Sequence, residues 1–144
     1  MTQKEWLSYL GGFFDGEGSI SLARRIDQPN AGYRLICSVS QKDPIPLKGF
    51  QVLFGGAIRC KKYKHYICHD WRLCNRKALA FLKIIEPYLI VKAPQARLAI
   101  QFQNRRLLGG VNKKRVKDYL VIDEAEAILM KKLNHSRFRG FQGV

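Results

Sequence analysis

The sequence predicts an α+β domain with the element order αββαββα, a four-stranded antiparallel sheet with helices on one face and extra helices towards the C-terminus. Three observations predict it. Apolar residues recur at helical spacing over residues 4–15, alternation of period two begins at Ser19, and the hairpin-then-helix pattern returns between Ala57 and Ile85. The 144 residues, 47% of them apolar, are enough for one core, so residues 1–144 read as a single domain.

The first helix carries Trp6, Leu7, Leu10, Phe13 and Phe14 on one stripe, and Asp15-Gly16-Glu17-Gly18 ends it. Ile20 and Leu22 then oppose Ser21, Ala23 and Arg25; after the turn signal Pro29-Asn30-Ala31-Gly32, Leu35, Cys37 and Val39 oppose Arg34, Ser38 and Ser40. Asp43 is placed to cap a second helix that begins at Pro44, carries Leu47, Phe50, Val52 and Leu53, and stops at Gly55-Gly56. A second hairpin runs over residues 57–63 and 66–73 around Lys64-His65. Asn75 caps a third helix through Ala78, Leu79, Phe81, Leu82 and Ile85, which Pro87 ends. Pro94 starts a fourth, stopped by Gly109-Gly110. A last helix is headed by Asp123, Glu124 and Glu126 and closes on Lys131 and Lys132, as the helix dipole favours.

The formal net charge is +15, which points to a polyanionic partner. No run is long enough to span a bilayer and the N-terminus lacks a signal-peptide plan, so nucleic acid is expected rather than a membrane. The expected location is intracellular: cytoplasmic, or within an organelle if the gene is organellar. Cys37, Cys60, Cys68 and Cys74 form no Cys-x-x-Cys pair, and with His65 and His69 they fit no common zinc spacing. They read as small buried apolar residues of a reduced protein.

Between Gly18 and Lys77 twelve basic residues face three acids, Asp27, Asp43 and Asp70. The strand residues of polar parity make a face suited to the major groove, where Arg pairs with guanine and hydroxyls reach base edges. The expected contacts are Ser21, Ala23, Arg25, Arg34, Ser38, Arg59, Lys61, Tyr63, Asp70 and Arg72. The alternative is a merely solvated polar face. The basic tail from about residue 134 to 144, with Arg137, Phe138, Arg139 and Phe141, either grips phosphates or orders only with DNA.

In the first helix Gly11 and Gly12 each cost about 1 kcal/mol relative to Ala, which makes sense where another helix approaches the backbone. Gly12 and Gly16 lie four apart, with Tyr9 and Phe13 placed to flank that face. Glu17 follows the helix end, beside free carbonyls and partial negative charge, a setting for a hard cation such as Mg²⁺. A carboxylate after a helix is by itself most often solvated surface.

Leu10-Gly-Gly-Phe-Phe-Asp-Gly-Glu-Gly18 resembles the signature of the LAGLIDADG homing endonucleases, present once. The likeness runs over residues 5–100 and takes in Pro87-Tyr88-Leu89, Lys92 and Gln95-Ala96. It implies an intron- or intein-encoded, homodimeric, site-specific endonuclease that cuts both strands of a long, nearly palindromic DNA site and leaves short 3′ overhangs. It implies Glu17 and the Gly16 carbonyl as ligands of Mg²⁺ or Mn²⁺, with Ca²⁺ as a non-cleaving substitute. Gln41 then lies near the attacking water and Lys92 near the cleaved phosphate, while Asp15 is structural; the residues alone make Asp15 a cap of the Gly16–Gly18 turn. Tyr9, Gly11, Gly12 and Phe13 would form the dimer interface. The second helix departs from the pattern: where a basic residue is usual it reads Asp43-Pro-Ile-Pro-Leu-Lys48, leaving Lys48 as the candidate. The alternative function on this scaffold is an RNA maturase or a DNA-binding regulator that does not cut.

Overall fold

A computed structural model describes residues 1–25, 32–108 and 117–136. The elements are α1 (Gln3–Glu17), β1 (Gly18–Arg24), β2 (Tyr33–Gln41), α2 (Ile45–Phe54), β3 (Ala57–Lys62), β4 (Ile67–Cys74), α3 (Asn75–Ile85), a 3₁₀ turn (Glu86–Tyr88), α4 (Ala93–Leu108) and α5 (Lys117–Ser136). The αββαββα order and the added C-terminal helices are those the sequence predicts. The strands form one antiparallel sheet ordered β1-β2-β4-β3, so the two hairpins join through β2 and β4.

Period two puts Ile20, Leu22, Leu35, Cys37, Val39, Trp71 and Leu73 on one face of the sheet. There they are buried beneath Leu10 and Phe14 of α1, Leu47 and Phe50 of α2, Phe81, Leu82 and Ile85 of α3, and Phe102 of α4. Burying each large side chain contributes about 2 kcal/mol. Phe50 stacks on Trp71 at 4.8 Å and Phe14 meets Phe81 edge-on at 5.0 Å. The Trp71 indole N–H donates to the Gly55 carbonyl at 2.8 Å, so the polar edge of the ring is satisfied inside the core. Gly55 and Gly56 have φ of 75° and 87°, a conformation that favours glycine, and they turn α2 into β3.

Several boundaries differ from the sequence reading. A capping box between Thr2 and Glu5 starts α1 at Gln3, and the helix continues through Gly16 and Glu17. Asp43 accepts from the Ile45 N–H at 2.9 Å, but from one residue before the N-cap position, which Pro44 occupies, and the helix begins at Ile45. Val52 and Leu53, expected in the core, are exposed, because α2 turns only Leu47 and Phe50 fully inward. The second hairpin pairs β3 to Lys62 and β4 from Ile67 to Cys74, and α4 begins at Ala93, one residue before Pro94. Asn75 starts α3 at φ 51°, a left-handed conformation that Asn tolerates, and supplies no cap in the N-cap position. Gly109 and Gly110 lie outside the described residues.

The largest correction is in α5. It starts at Lys117, so Asp123 and Glu126 sit inside the helix rather than at its head. Both are buried, and both pair with Arg105 of α4, while Arg106 lies 3.4 Å from Asp123 and donates to the Tyr33 carbonyl. Burial pushes the Glu126 carboxyl above the usual carboxylate range, with the Arg105 hydrogen bond and charge only partly offsetting it. Burial lowers Arg105, but its bonds to Asp123 and Glu126 outweigh that and raise it overall. These acids clamp two helices together; they do not serve the helix dipole.

Candidate active site and nucleic-acid face

The motif helix delivers its carboxylates to one end of the sheet. Glu17 is the last residue of α1 and is exposed. Gln41, the last residue of β2, donates its side-chain N–H to Glu17 Oε2 at 3.2 Å. Asp15 accepts the backbone N–H groups of Ile90, Val91 and Lys92 at 3.1, 3.0 and 2.8 Å. Lys92 Nζ in return donates to the Asp15 carbonyl at 2.6 Å. Asp15 is thus structural, but as a cap on the turn before α4 rather than on the adjoining Gly16–Gly18 turn. Glu17, Gln41 and Lys92 come from three separated segments, and α1 gathers them. Lys92 is only 3% exposed, held beneath the helix end.

Lys48 goes elsewhere. With Met1, Trp6, Tyr9, Ile45, Pro46, Gly49, Val52 and Leu53 it lines an apolar groove of about 520 Å³ between α1 and α2. Tyr9 precedes Glu17 by eight residues, about 12 Å along a helix, so Lys48 is at the far end of α1 from the carboxylate.

The outer face of α1 presents exposed Trp6 and Tyr9, and a Cβ on Gly12 or Gly16 would meet nothing within 4 Å. Gly11 does not share that face. A Cβ there would come within 2.4 Å of Tyr88 Cβ, so this glycine admits the 3₁₀ turn of its own chain and drops out of the expected interface. Phe13 is half-buried and leans on the core, 6.1 Å from Phe50 between ring centroids.

The sheet face away from the helices carries Ser19, Ser21 and Ala23 of β1, Arg34, Ile36, Ser38 and Ser40 of β2, Asp70, Arg72 and Cys74 of β4, and Ala57, Arg59 and Lys61 of β3. Arg34, Arg59, Lys61, Arg72 and Tyr63 are exposed, Ser21, Ala23 and Ser38 partly so, and half-buried Arg25 closes the first hairpin through its N–H to Gly32. Asp70 is different: it is 4% exposed, accepts the Ser40 hydroxyl at 2.9 Å, and lies 3.6 Å from Arg72 Nε.

Sequence reasoning missed three features of this face. Ile36 breaks its polar parity and is nearly buried between Ser21 and Cys74. Tyr66 stacks on Tyr63 at 4.8 Å, and Lys42 Nζ lies 5.3 Å from the Tyr66 ring. The cluster Lys61, Lys62, Lys64 around Tyr63 was the only hint, because a strand pattern says nothing about stacking across its turn. Among the described residues no three His, Cys, Asp or Glu side chains are placed to hold a metal ion. Cys60 and His69 face each other across β3 and β4, while Cys68 is on the opposite face; of the four cysteines expected to be buried only Cys37 is, Cys60 being exposed on the edge strand and Cys68 and Cys74 half-buried. Residues 137–144 of the basic tail lie outside the described residues.

No family model and no curated protein matches the sequence. Solved structures do match. The archaeal intron-encoded homing endonuclease I-Vdi141I, solved with DNA, superposes with a TM-score of 0.76 at 21% identity, covering 92% of this chain and 86% of that one. The homing endonuclease I-CvuI, solved with its target in the presence of Ca, gives 0.73 at 22% identity over 88% and 80%. I-SmaMI, bound to uncleaved DNA in the presence of calcium ions, gives 0.61 at 21% identity over 85% of this chain but only 44% of its own. The chain has the LAGLIDADG homing-endonuclease fold, with the four-stranded sheet and C-terminal helices of that architecture. Among the described residues no helix is long and apolar enough to cross a membrane.

Proposed function

We propose that this protein is a site-specific double-strand DNA endonuclease that acts as a homodimer with divalent metal ions. The observation that carries this reading is the meeting of Glu17, Gln41 and the Asp15-held Lys92 at the end of the motif helix, where the basic sheet face begins. The sheet binds the duplex, with Arg34, Arg59, Lys61 and Arg72 reaching phosphates and base edges. Gln41 orients Glu17 from the side, and Lys92 supplies positive charge next to the same helix end.

The residues fit a hard cation. An exposed carboxylate and the Gly16 carbonyl at a helix C-terminus are oxygen donors, and Mg²⁺ is bound by one or two carboxylates with waters and substrate phosphates completing the shell. Bound there, such an ion supplies charge neutralisation at the phosphate and an acidified water. One chain offers one Glu17, whereas a double-strand cut serves two phosphates. Two copies related by a two-fold axis meet that need. The open stripe of Tyr9, Gly12 and Gly16, with Trp6 and the edge of Phe13, is the surface for the second copy.

The test begins with duplexes selected by the wild-type protein from a randomised library in Ca²⁺. The expected product is one long, imperfectly palindromic sequence, bound by two chains in sedimentation and cut on both strands when Mg²⁺ replaces Ca²⁺. Selection of a sequence that is never cut would make the protein a DNA-binding regulator. Retention of structured RNA over every duplex would make it a maturase. A single chain that cuts both strands would defeat the dimer.

A further inference from the structure

We infer that Asp70 is a specificity-determining positioning residue: its carboxylate aims the Arg72 guanidinium at a base edge and weakens the hold of the sheet on unrelated DNA. The inference rests on the DNA-binding reading of the sheet and adds a role to it. A carboxylate in the middle of a face that meets a polyanion is an expensive choice, because it repels the phosphates that Arg34, Arg59 and Lys61 attract. A buried carboxylate also needs partners for its oxygens. Ser40 donates to Asp70 Oδ1 at 2.9 Å, and Arg72 Nε stands 3.6 Å from Oδ2, an ion pair rather than a hydrogen bond.

Position explains the arrangement. Asp70 and Arg72 are two apart on β4 and share the open face, and Asp70 lies between Ser40 on β2 and Arg59 on β3 in the sheet register. The Asp70 side chain is 6% exposed and that of Arg72 is 41% exposed. The acid is therefore sealed within the face while the arginine stands clear of it. An Arg whose Nε edge is drawn towards a carboxylate by ion pairing keeps its terminal N–H donors for a second acceptor, the fork that reads guanine O6 and N7. A free Arg72 would instead sample many rotamers and reach phosphates without regard to sequence. Asp70 thus exchanges affinity for discrimination, and does so through Arg72 and not by touching DNA.

The experiment uses Asp70→Asn, Arg72→Ala and the double variant in the full chain, titrated on the library-selected duplex and on an unrelated duplex of equal length. Asp70→Asn is expected to bind the unrelated duplex several-fold more tightly and to lose roughly tenfold discrimination at one base pair per half-site. In the Arg72→Ala background the same change should leave discrimination where Arg72→Ala already put it. Equal weakening on both duplexes, tracking a lower Tm, would mean that Asp70 only supports the sheet and would overturn the inference. Discrimination lost equally in both backgrounds would overturn the route through Arg72. Should Asp70→Asn fail to fold, Ser40→Ala loosens the carboxylate without removing its charge. It should then reduce discrimination at that same base pair, and unchanged discrimination would count against the inference. Wild-type protein that selects no sequence defeats the endonuclease reading itself, whereas selectivity that survives Asp70→Asn defeats only this role.

Discussion

Two regions of this molecule gather acids and bases from distant segments, and they use them in opposite ways. At the end of α1, Glu17 is exposed and accepts a hydrogen bond from the Gln41 side chain, so most of its charge faces outward. Between α4 and α5, Asp123 and Glu126 are buried and answered by Arg105 and Arg106 of the neighbouring helix. The first arrangement leaves charge for something outside the chain; the second consumes it within. Asp15 shows the two modes side by side, since it lies two residues from Glu17 yet gives both carboxylate oxygens to backbone N–H groups. Exposure and unused acceptor capacity, rather than charge itself, separate the carboxylate proposed to react from the structural ones.

The sharpest way to break this comparison is Glu17→Gln. It keeps the size and the hydrogen bond with Gln41 but removes the charge that holds a divalent ion, so cleavage should fall by orders of magnitude while DNA binding and Tm stay put. Cleavage at the wild-type rate would remove Glu17 from the site, and a large fall in Tm would move it to the structural group.

Asp123→Ala should do the reverse. It leaves Arg105 and Arg106 without the carboxylate between them, and breaking such a buried pair costs about 3 kcal/mol. Urea denaturation should show that loss, with any remaining folded protein cutting normally. A variant as stable as wild type would show that the clamp is dispensable.

The smallest effect concerns pH. Because the folded-state pKa of Glu126 is raised, the folded chain favours its protonated form. Its contribution to stability is present below the ordinary carboxylate pKa and is lost as pH rises through the raised value. Glu126→Gln imitates the protonated form at every pH, so its stability relative to wild type should climb over the interval just above the ordinary carboxylate range. A flat difference over that interval would mean that Arg105 compensates Glu126 fully.

What the sequence determined by itself was local and periodic. Helical spacing, the change to period two at Ser19 and its return at Ala57 set the element order and chose the core-facing side of β1, β2 and β4, because side-chain direction follows backbone periodicity alone. The motif around Gly11 to Gly18 pointed to the end of one helix. Only the tertiary structure decided what met there. It set Gln41 beside Glu17, turned Asp15 towards residues 90–92 and placed Gly11 against Tyr88, contacts that join residues tens of positions apart. It also sent Lys48 to the far end of α1, exposed Val52 and Leu53, and buried Asp123 and Glu126 inside a longer helix. Apolar and acidic residues on a helix carry no label for the neighbour they will face, and whether a side chain is buried depends on which other elements pack against it. That information exists only once the helices have docked.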